Sequence, residues 1–408
     1  MKIADIEQKE WIYFIGGSWE QRPAIERAKS DGYNILLSDI SEACEAKDFA
    51  DEFQRIDPRN LDEILTFARQ RRVINIIGES CDYCRYAAVY ALVALDFEPL
   101  VFLDPLQRLS NKGVMRDHLR TSGVFQPRYF RCRYFSDARK AVDSIDLPVV
   151  IKPVDSRGSQ GVRIVTDEGD LKSSFLDAVA MSQSREVLIE AFVAGTHFTV
   201  DGFVDEAGDL KILGVAVKTL VENNGHPVIT RVDYGSELAD GTRRDLCEAT
   251  SKAVSSLNIG HGLIHAEFII DSNGRVFFLE IANRGGGVLT AQLVLPKLTG
   301  LDVIEYLIKN RTNTNSRQAS MYYQPKCMVA IVFLNVGEGR IDSIQNENVK
   351  LVNDHILYAS VWVREGQIIG APFNGVTRHG VIIVTGKSKG EIDETLHDYL
   401  DRLKVVFK

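Results

Sequence analysis

His265-Ala-Glu-Phe-Ile-Ile-Asp-Ser-Asn-Gly-Arg-Val-Phe-Phe-Leu-Glu-Ile-Ala-Asn-Arg-Gly-Gly-Gly287 is two apolar strand-like runs joined by Asp271-Ser-Asn-Gly274, the pattern of a β-hairpin. If all four turn residues form the loop, Ile270 faces Arg275, Glu267 faces Phe278 and His265 faces Glu280. Glu267 and Glu280 are then diagonal neighbours on one face, roughly 7–8 Å apart. Two carboxylates in an apolar hairpin are costly unless a cation neutralises them, and hard oxygen donors at this separation suit Mg²⁺ shared with substrate phosphates. The alternative is that both acids point at solvent. Arg284 and the three glycines after it favour the site, as a fixed cation at a strand end and a backbone that admits close approach.

The chain has 408 residues, too many for one ordinary core, and roughly 150 residues per domain predicts two or three domains. It is 45% hydrophobic and 25% charged, which indicates a globular protein. Its net charge of −8 argues against a general nucleic-acid or anionic-membrane binder. No apolar run approaches the roughly 18 residues of a membrane helix, and Met1 to Glu10 is too charged for a signal peptide, so the expectation is a cytoplasmic protein. Of six cysteines only Cys81 and Cys84 have a suggestive spacing, and without a second pair they read as reduced thiols.

Along the chain, Trp11 to Ile15, a helix from about Trp19 to Ser30 and a strand from Asn34 to Leu37 predict a βαβ opening. Gly16-Gly17-Ser18-Trp19-Glu20-Gln21 lacks the dinucleotide-binding fingerprint, which disfavours a nicotinamide-dependent enzyme. Asn75 to Glu79 reads as a further strand, Glu79 as a weak candidate for touching substrate, and Tyr86, Val89, Tyr90 and Val93 as the apolar face of the next helix. Ser110 is the expected cap of a helix ending at Gly123, with Lys112 in its first turn, where a cation opposes the helix dipole unless it reaches a phosphate. Val149 to Lys152 is an apolar strand ending in a lysine that needs an anion, and Ser156-Arg-Gly-Ser-Gln-Gly161 is a flexible loop able to offer N–H groups to phosphate. It is not a Walker loop. Val187 to Val204 reads as two strands with a connector, Lys211 to Lys218 as a strand, and Val221 to Ser236 as a polar loop over a cleft that carries specificity. A linker is expected over Lys309 to Ser320, followed by a small separate β-rich domain with strands at Cys327 to Val336, Leu357 to Glu365 and Val381 to Thr385 and a helix at Ser388 to Leu403.

Taken in series, Lys112, Val-Ile-Lys152-Pro, the Ser156 to Gly161 loop, Ile189-Glu190-Ala-Phe-Val193, and Glu267 with Glu280-x-x-x-Arg284 resemble the ATP-grasp superfamily over Leu103 to Gly287. Within it the chain looks most like carboxylate-amine ligases, and its C-terminal part is similar to that of the L-amino acid ligases. The resemblance implies a mixed α/β fold with a Rossmann-like N-terminal α/β domain over 1–104, a small lobe with a phosphate-binding lid over 105–185, a large lobe with the Mg-ATP site over 186–318, and a small C-terminal α/β domain over 319–408. It also implies that Lys112 and Lys152 hold ATP phosphates, that Ser156, Gly158, Ser159 and Gly161 close over them, that Glu190, Ala191 and Val193 bind adenine, and that His197 takes a ribose-binding position. Glu267 and Glu280 would bridge Mg²⁺ or Mn²⁺, and Arg284 would orient the carboxylate being phosphorylated, with Glu280 and Lys152 sharing in catalysis.

Many members have an Asn two residues after the second Glu as a further metal ligand. Here Ala282 stands there, and in an unbent strand Asn283 would point to the other face, so it is not expected to coordinate metal. The expected activity is ADP-forming ligation of a small-molecule carboxylate and an amine, both amino acids, through an acyl phosphate, with a homodimer allowed. A carboxylase acting through carboxyphosphate and a non-catalytic ATP-binding module are the alternatives, and retention of both lysines, both acids and Arg284 disfavours the latter.

Overall fold

The computed structural model describes residues 9–97, 101–156, 158–309, 322–345 and 353–408. Most of the expected linker, 310–320, lies outside the described residues, as does Arg157 of the glycine loop.

The N-terminal segment runs β1 (Trp11–Ile15), α1 (Arg22–Ser30), β2 (Asn34–Asp39), β3 (Glu52–Arg55), α2 (Leu61–Ala68), β4 (Val73–Ile77) and α3 (Asp82–Ala94). Its four strands are parallel in the order β3-β2-β1-β4. Helix α1 starts at Arg22 rather than near Trp19 because Pro23 has its fixed φ and missing N–H in the first turn, where neither is a loss. Helix α3 buries Cys84, Ala87, Ala88 and Ala91, whereas Val93 is exposed, so the expected apolar face is rotated. Small side chains let α3 approach the sheet, and Tyr86 and Val89 pack instead on Val101 and Leu106.

Next come α4 (Leu103–Leu109), α5 (Lys112–Leu119), β5 (Tyr129–Cys132), α6 (Phe135–Ile145), β6 (Val149–Pro153), β7 (Arg163–Val165), α7 (Glu168–Met181) and β8 (Val187–Ala191). Strands β5-β8-β6-β7 form an antiparallel sheet whose apolar face, including Ile151 and Ile189, packs on Ala138 of α6 and Phe175 of α7.

The rest is built on one long sheet. Its strands come from β9 (Thr196–Val204), β10 (Leu210–Asn223), β11 (His226–Tyr234), β12 (Gly262–Ile270), β13 (Val276–Ala282), β14 (Met328–Phe333), β16 (Ile356–Val361) and β18 (Gly380–Gly386). Their order is β13-β12-β9-β10-β11-β14-β18-β16. Helix α8 (Asp240–Ser256) covers one face through Leu246 and Val254, and α9 (Leu295–Thr299) and α10 (Val303–Lys309) cover the other. A three-stranded sheet of β15 (Gly339–Gln345), β17 (Ile368–Ile369) and β19 (Lys404–Phe407) and the helix α11 (Lys389–Arg402) complete the chain.

Two expectations are corrected here. Val221 to Ser236 is not a polar covering loop: most of it is the end of β10 and all of β11, with Val228, Val232 and Tyr234 buried. The C-terminal strands are not a separate sheet either, since β14 pairs with β11 and β18 with β14. Pairing them satisfies the backbone groups that β11 would otherwise expose at an edge.

Candidate active site

The β12–β13 hairpin turns more tightly than its sequence suggests. Asp271 N–H donates to the Arg275 carbonyl, so the loop is Ser272-Asn273-Gly274, and the Asp271 carboxylate accepts from the backbone of Asn273 and Arg275. Gly274 supplies the left-handed residue, at φ +76°. An irregularity between Glu267 and Phe268 then shifts the register again. Glu267 therefore faces Glu280 directly, not Phe278, and His265 faces Ala282, not Glu280. Directly opposed acids repel more strongly than diagonal ones, and each has its own cation. Lys218 Nζ lies 2.5 Å from Glu267, and Lys112 Nζ lies 3.1 Å from Glu280. Burial works against the Glu267 charge, but Lys218 and His265 hold its carboxyl well below the usual range. Burial likewise opposes the charge on His265, yet Asp201, 2.7 Å from Nδ1, and Glu267 lift its pKa to about 9. Tyr234 donates to the other Asp201 oxygen at 2.7 Å.

The second group of charges comes from the small lobe. Asn111, not Ser110, caps α5 by accepting from Val114 N–H; Ser110 ends α4, and α5 stops at Leu119 before Gly123. Lys112 is thus the first residue of α5, where its cation opposes the dipole, and Nζ also donates to the Ser156 carbonyl at 2.8 Å. Lys152, at the end of β6, finds its anion inside the protein: Glu190 lies 2.5 Å away, and Arg116, fully buried one turn after Lys112, lies 2.6 Å from the other Glu190 oxygen. Burial pulls the Lys152 pKa down and Glu190 opposes it; Glu190 in turn is held below its ordinary value by the two cations despite its burial. Glu190→Ala would leave two buried cations unpaired and should cost about 3–5 kcal/mol of stability. Denaturant melts of the variant check this, and an unchanged midpoint would remove Glu190 from its supporting role.

Lys112, Lys152, Ser156, Gly158, Ser159, Glu190, Ala191, Val193, His197, Glu267 and Glu280, all singled out in the sequence, line one cavity with Lys218 and Ile229. The sequence reading missed Lys218, whose signal was only its place in an alternating strand. Gly161 is not in the lining. At φ +72° it makes a turn against Pro153 and Met181. Burial lowers the His197 pKa, which favours a neutral imidazole. One contact reaches Gly158 of the glycine loop from outside, and two hold the residues just after the loop. Gly375 N–H donates to the Gly158 carbonyl at 3.0 Å, Ile164 N–H to Gly225, and His226 Nδ1 lies 3.0 Å from the Val162 carbonyl.

Arg284 stands outside this cavity, with Nε 2.7 Å from Asp82 at the start of α3. Asp82 was not among the expected residues. The glycines that follow approach protein groups: Gly285 N–H donates to Glu79 at 3.0 Å, and a side chain at Gly286 would collide with His265 and Asp201. Glu79 is therefore a strut between the N-terminal segment and the hairpin, and it borders a second cavity with Glu20, Asp39, Arg59 and Cys81. Asn283 turns away from the two acids and donates to the Leu263 carbonyl at 3.0 Å, the direction its strand parity requires. No disulfide joins any of the six cysteines. Among the described residues no group of three or more His, Cys, Asp or Glu is arranged to hold a metal, and no helix is long and apolar enough to cross a membrane.

Comparison with known proteins agrees with this geometry. Residues 145–292 match the ATP-grasp domain family. The chain is 24% identical over 355 residues to an uncharacterised protein of Sinorhizobium fredii, covering 84% of this chain and 71% of that one. It is 22% identical over 273 residues to the C-terminal section of the carbamoyl phosphate synthase large chain of Methanopyrus kandleri, covering 63% of this chain and only 48% of that section. Among solved structures, the L-amino acid ligase from Bacillus licheniformis superposes with a TM-score of 0.81 at 17% identity, covering 98% of this chain and 99% of that one. Biotin carboxylase from Campylobacter jejuni gives 0.73 at 16% identity, covering 97% and 92%. At such identities the likeness speaks for the fold. The family match spans residues 145–292, so that region of the chain is identified with the ATP-grasp domain family, and the two acids and two lysines converge on one cavity there.

Proposed function

We propose that this protein is an ADP-forming carboxylate-amine ligase that joins two amino acids through an acyl phosphate. The observation that carries the reading is the single cavity lined by Lys112, Lys152, Ser156, Gly158, Ser159, 190–193, His197, Glu267 and Glu280. It supports an ATP site in which the phosphates meet the two lysines and the loop, adenine meets 190–193, and ribose meets His197, between a small lobe over 105–185 and a large lobe over 186–318.

The acids fit Mg²⁺. Two opposed carboxylates facing a cavity, with no third protein ligand grouped beside them among the described residues, are the donor set of an ion that completes its shell with water and phosphate oxygens. Glu267 and Glu280 would hold it, and when bound it would neutralise charge on the phosphates and polarise them for transfer. Lys112 and Lys218, which neutralise these acids here, are free to turn to phosphate once a metal takes their place. Lys152 is aimed by Glu190, which Arg116 fixes from behind. Arg284 would hold the substrate carboxylate in line, with Asp82 setting its plane. No step requires a covalent protein nucleophile.

Amino acids supplied in pairs should give ATP- and Mg²⁺-dependent phosphate release with one amide per ATP. A strict requirement for bicarbonate would mark a carboxylase instead, and a stable phosphorylated product a kinase. The 156–161 loop should exchange amide hydrogens rapidly in the free protein and become protected with ATP; equal protection in both states would argue against a lid.

A further inference from the structure

Arg378, in the 370–379 segment before β18, is a cation the ligase reading has not used. Its guanidinium lies over the Phe333 ring, 3.3 Å from the centroid, and Nη2 donates to the Ile229 carbonyl at 3.4 Å. Its Nε is buried with no hydrogen-bond partner, and among the described residues it makes no ion pair, feeling Glu20 only through its field. Burial lowers its pKa to about 10, opposed only by the field of Glu20. Arg284, by contrast, is satisfied by Asp82. A largely desolvated guanidinium with one ring, one carbonyl and no carboxylate against it is an incomplete arrangement, because desolvating a charge costs several kcal/mol unless a counter-charge repays it.

The location says what the missing partner is. Ile229, which receives Nη2, also lines the main cavity. Glu20, on the other side, accepts from Val288 N–H and feels both Arg284 and Arg378. Val288 and Leu289 are held there at φ +60° and +57°, a left-handed pair that costs about 1–2 kcal/mol per residue and is kept for position. Arg378 thus lies between Ile229, a lining residue of the main cavity, and Glu20, which holds the loop after Arg284 through Val288. In an amino acid ligation two carboxylates enter this region. One is activated, and the other, on the amine-bearing substrate, must be held but not phosphorylated.

We propose that Arg378 binds the free carboxylate of the amine-bearing substrate, so that the acceptor is an amino acid rather than a simple amine. The proposal rests on the ligase reading. Hydroxylamine first identifies the acid that is activated, since it needs no acceptor site. With that acid fixed, each free amino acid is then compared with its own amide, L-alanine with L-alaninamide for example, as acceptor for wild type and Arg378→Met.

An amide carries no carboxylate, so it reports the site without this contact. Arg378→Met should raise KM for the free-acid acceptor roughly 10- to 100-fold, the loss expected for one charge-assisted hydrogen bond, and change that for the amide far less. Arg378→Lys should recover part of the preference, and it decides the matter alone if Arg378→Met does not fold. An acid-to-amide ratio unchanged in the variants, or equal losses with both acceptors, overturns the proposal. Failure of wild type to form an amide from any pair would instead refute the ligase reading.

Discussion

Glu280→Gln is expected to lower turnover about 10³-fold or more while nucleotide binding stays measurable. The substitution keeps the shape of the side chain and removes its charge at the position directly opposite Glu267. Glu280 is the more open of the two acids, with 38% of its side chain exposed against 25% for Glu267, so it has more room to follow a metal shared with phosphate. An amide oxygen there is a weaker donor for a hard cation, and Lys112 loses its counter-charge. The adenine contacts proposed for 190–193 would lie on another strand connection, so ATP should still bind. Single-turnover rates beside equilibrium binding of an ATP analogue separate the two effects. Near-normal turnover with Mg²⁺ would show that Glu280 is not a metal ligand.

Much of this site was legible because its parts are local. A lysine closing an apolar strand at Lys152, a glycine loop after it, a cation in the first turn of a helix at Lys112 and two acids in a hairpin each violate a simple expectation about where charge belongs, and each lines the cavity. What could not be read was the partner of each charge. Arg116 meets Glu190 across 74 residues, and Lys218 meets Glu267 across 49, distances over which periodicity carries no information. Their ion pairs also change the meaning of the residues that were read. Glu190 was expected as part of an adenine-binding connector, but its side chain belongs to the two cations.

The same limit governs the fold. Hairpin register failed by the two irregularities that sequence alternation cannot show, a three-residue loop closed by the Asp271 side chain and a shift after Glu267. The 221–236 region looked like a loop because Glu222, Asn223, Asn224, Gly225 and His226 crowd its tip, although Val228, Val232 and Tyr234 keep strand alternation beyond it. Three of the C-terminal strands were read, β14, β16 and β18, but not β15, β17 and β19, and not the place of any of them in a sheet. Whether β14 begins a new sheet or extends an old one depends on the open edge of β11, a property of the folded sheet rather than of either sequence.

Arg284→Ala is expected to abolish formation of the activated acid itself, by about 10³-fold or more, rather than only slow the amine step. Kinases, carboxylases and ligases can share one metal and phosphate apparatus, and what separates them is the oxygen presented to the γ-phosphate. Arg284 is fixed at both ends of its guanidinium, by Asp82 through Nε and by the Gly285 carbonyl through Nη1, so it is preorganised to hold an oxygen without losing side-chain freedom when substrate arrives. In the wild type, hydroxylamine should intercept the activated acid as a hydroxamate, dependent on ATP, Mg²⁺ and the correct carboxylic acid. In Arg284→Ala that hydroxamate should disappear while ATP binding persists. Asp82→Asn, which keeps a neutral acceptor for Nε, should lower the yield less than loss of the arginine does. Normal hydroxamate with slow amide formation would instead move Arg284 to the acceptor step. Loss of ATP binding in the alanine variant would show that it supports the fold of the site rather than the geometry of transfer.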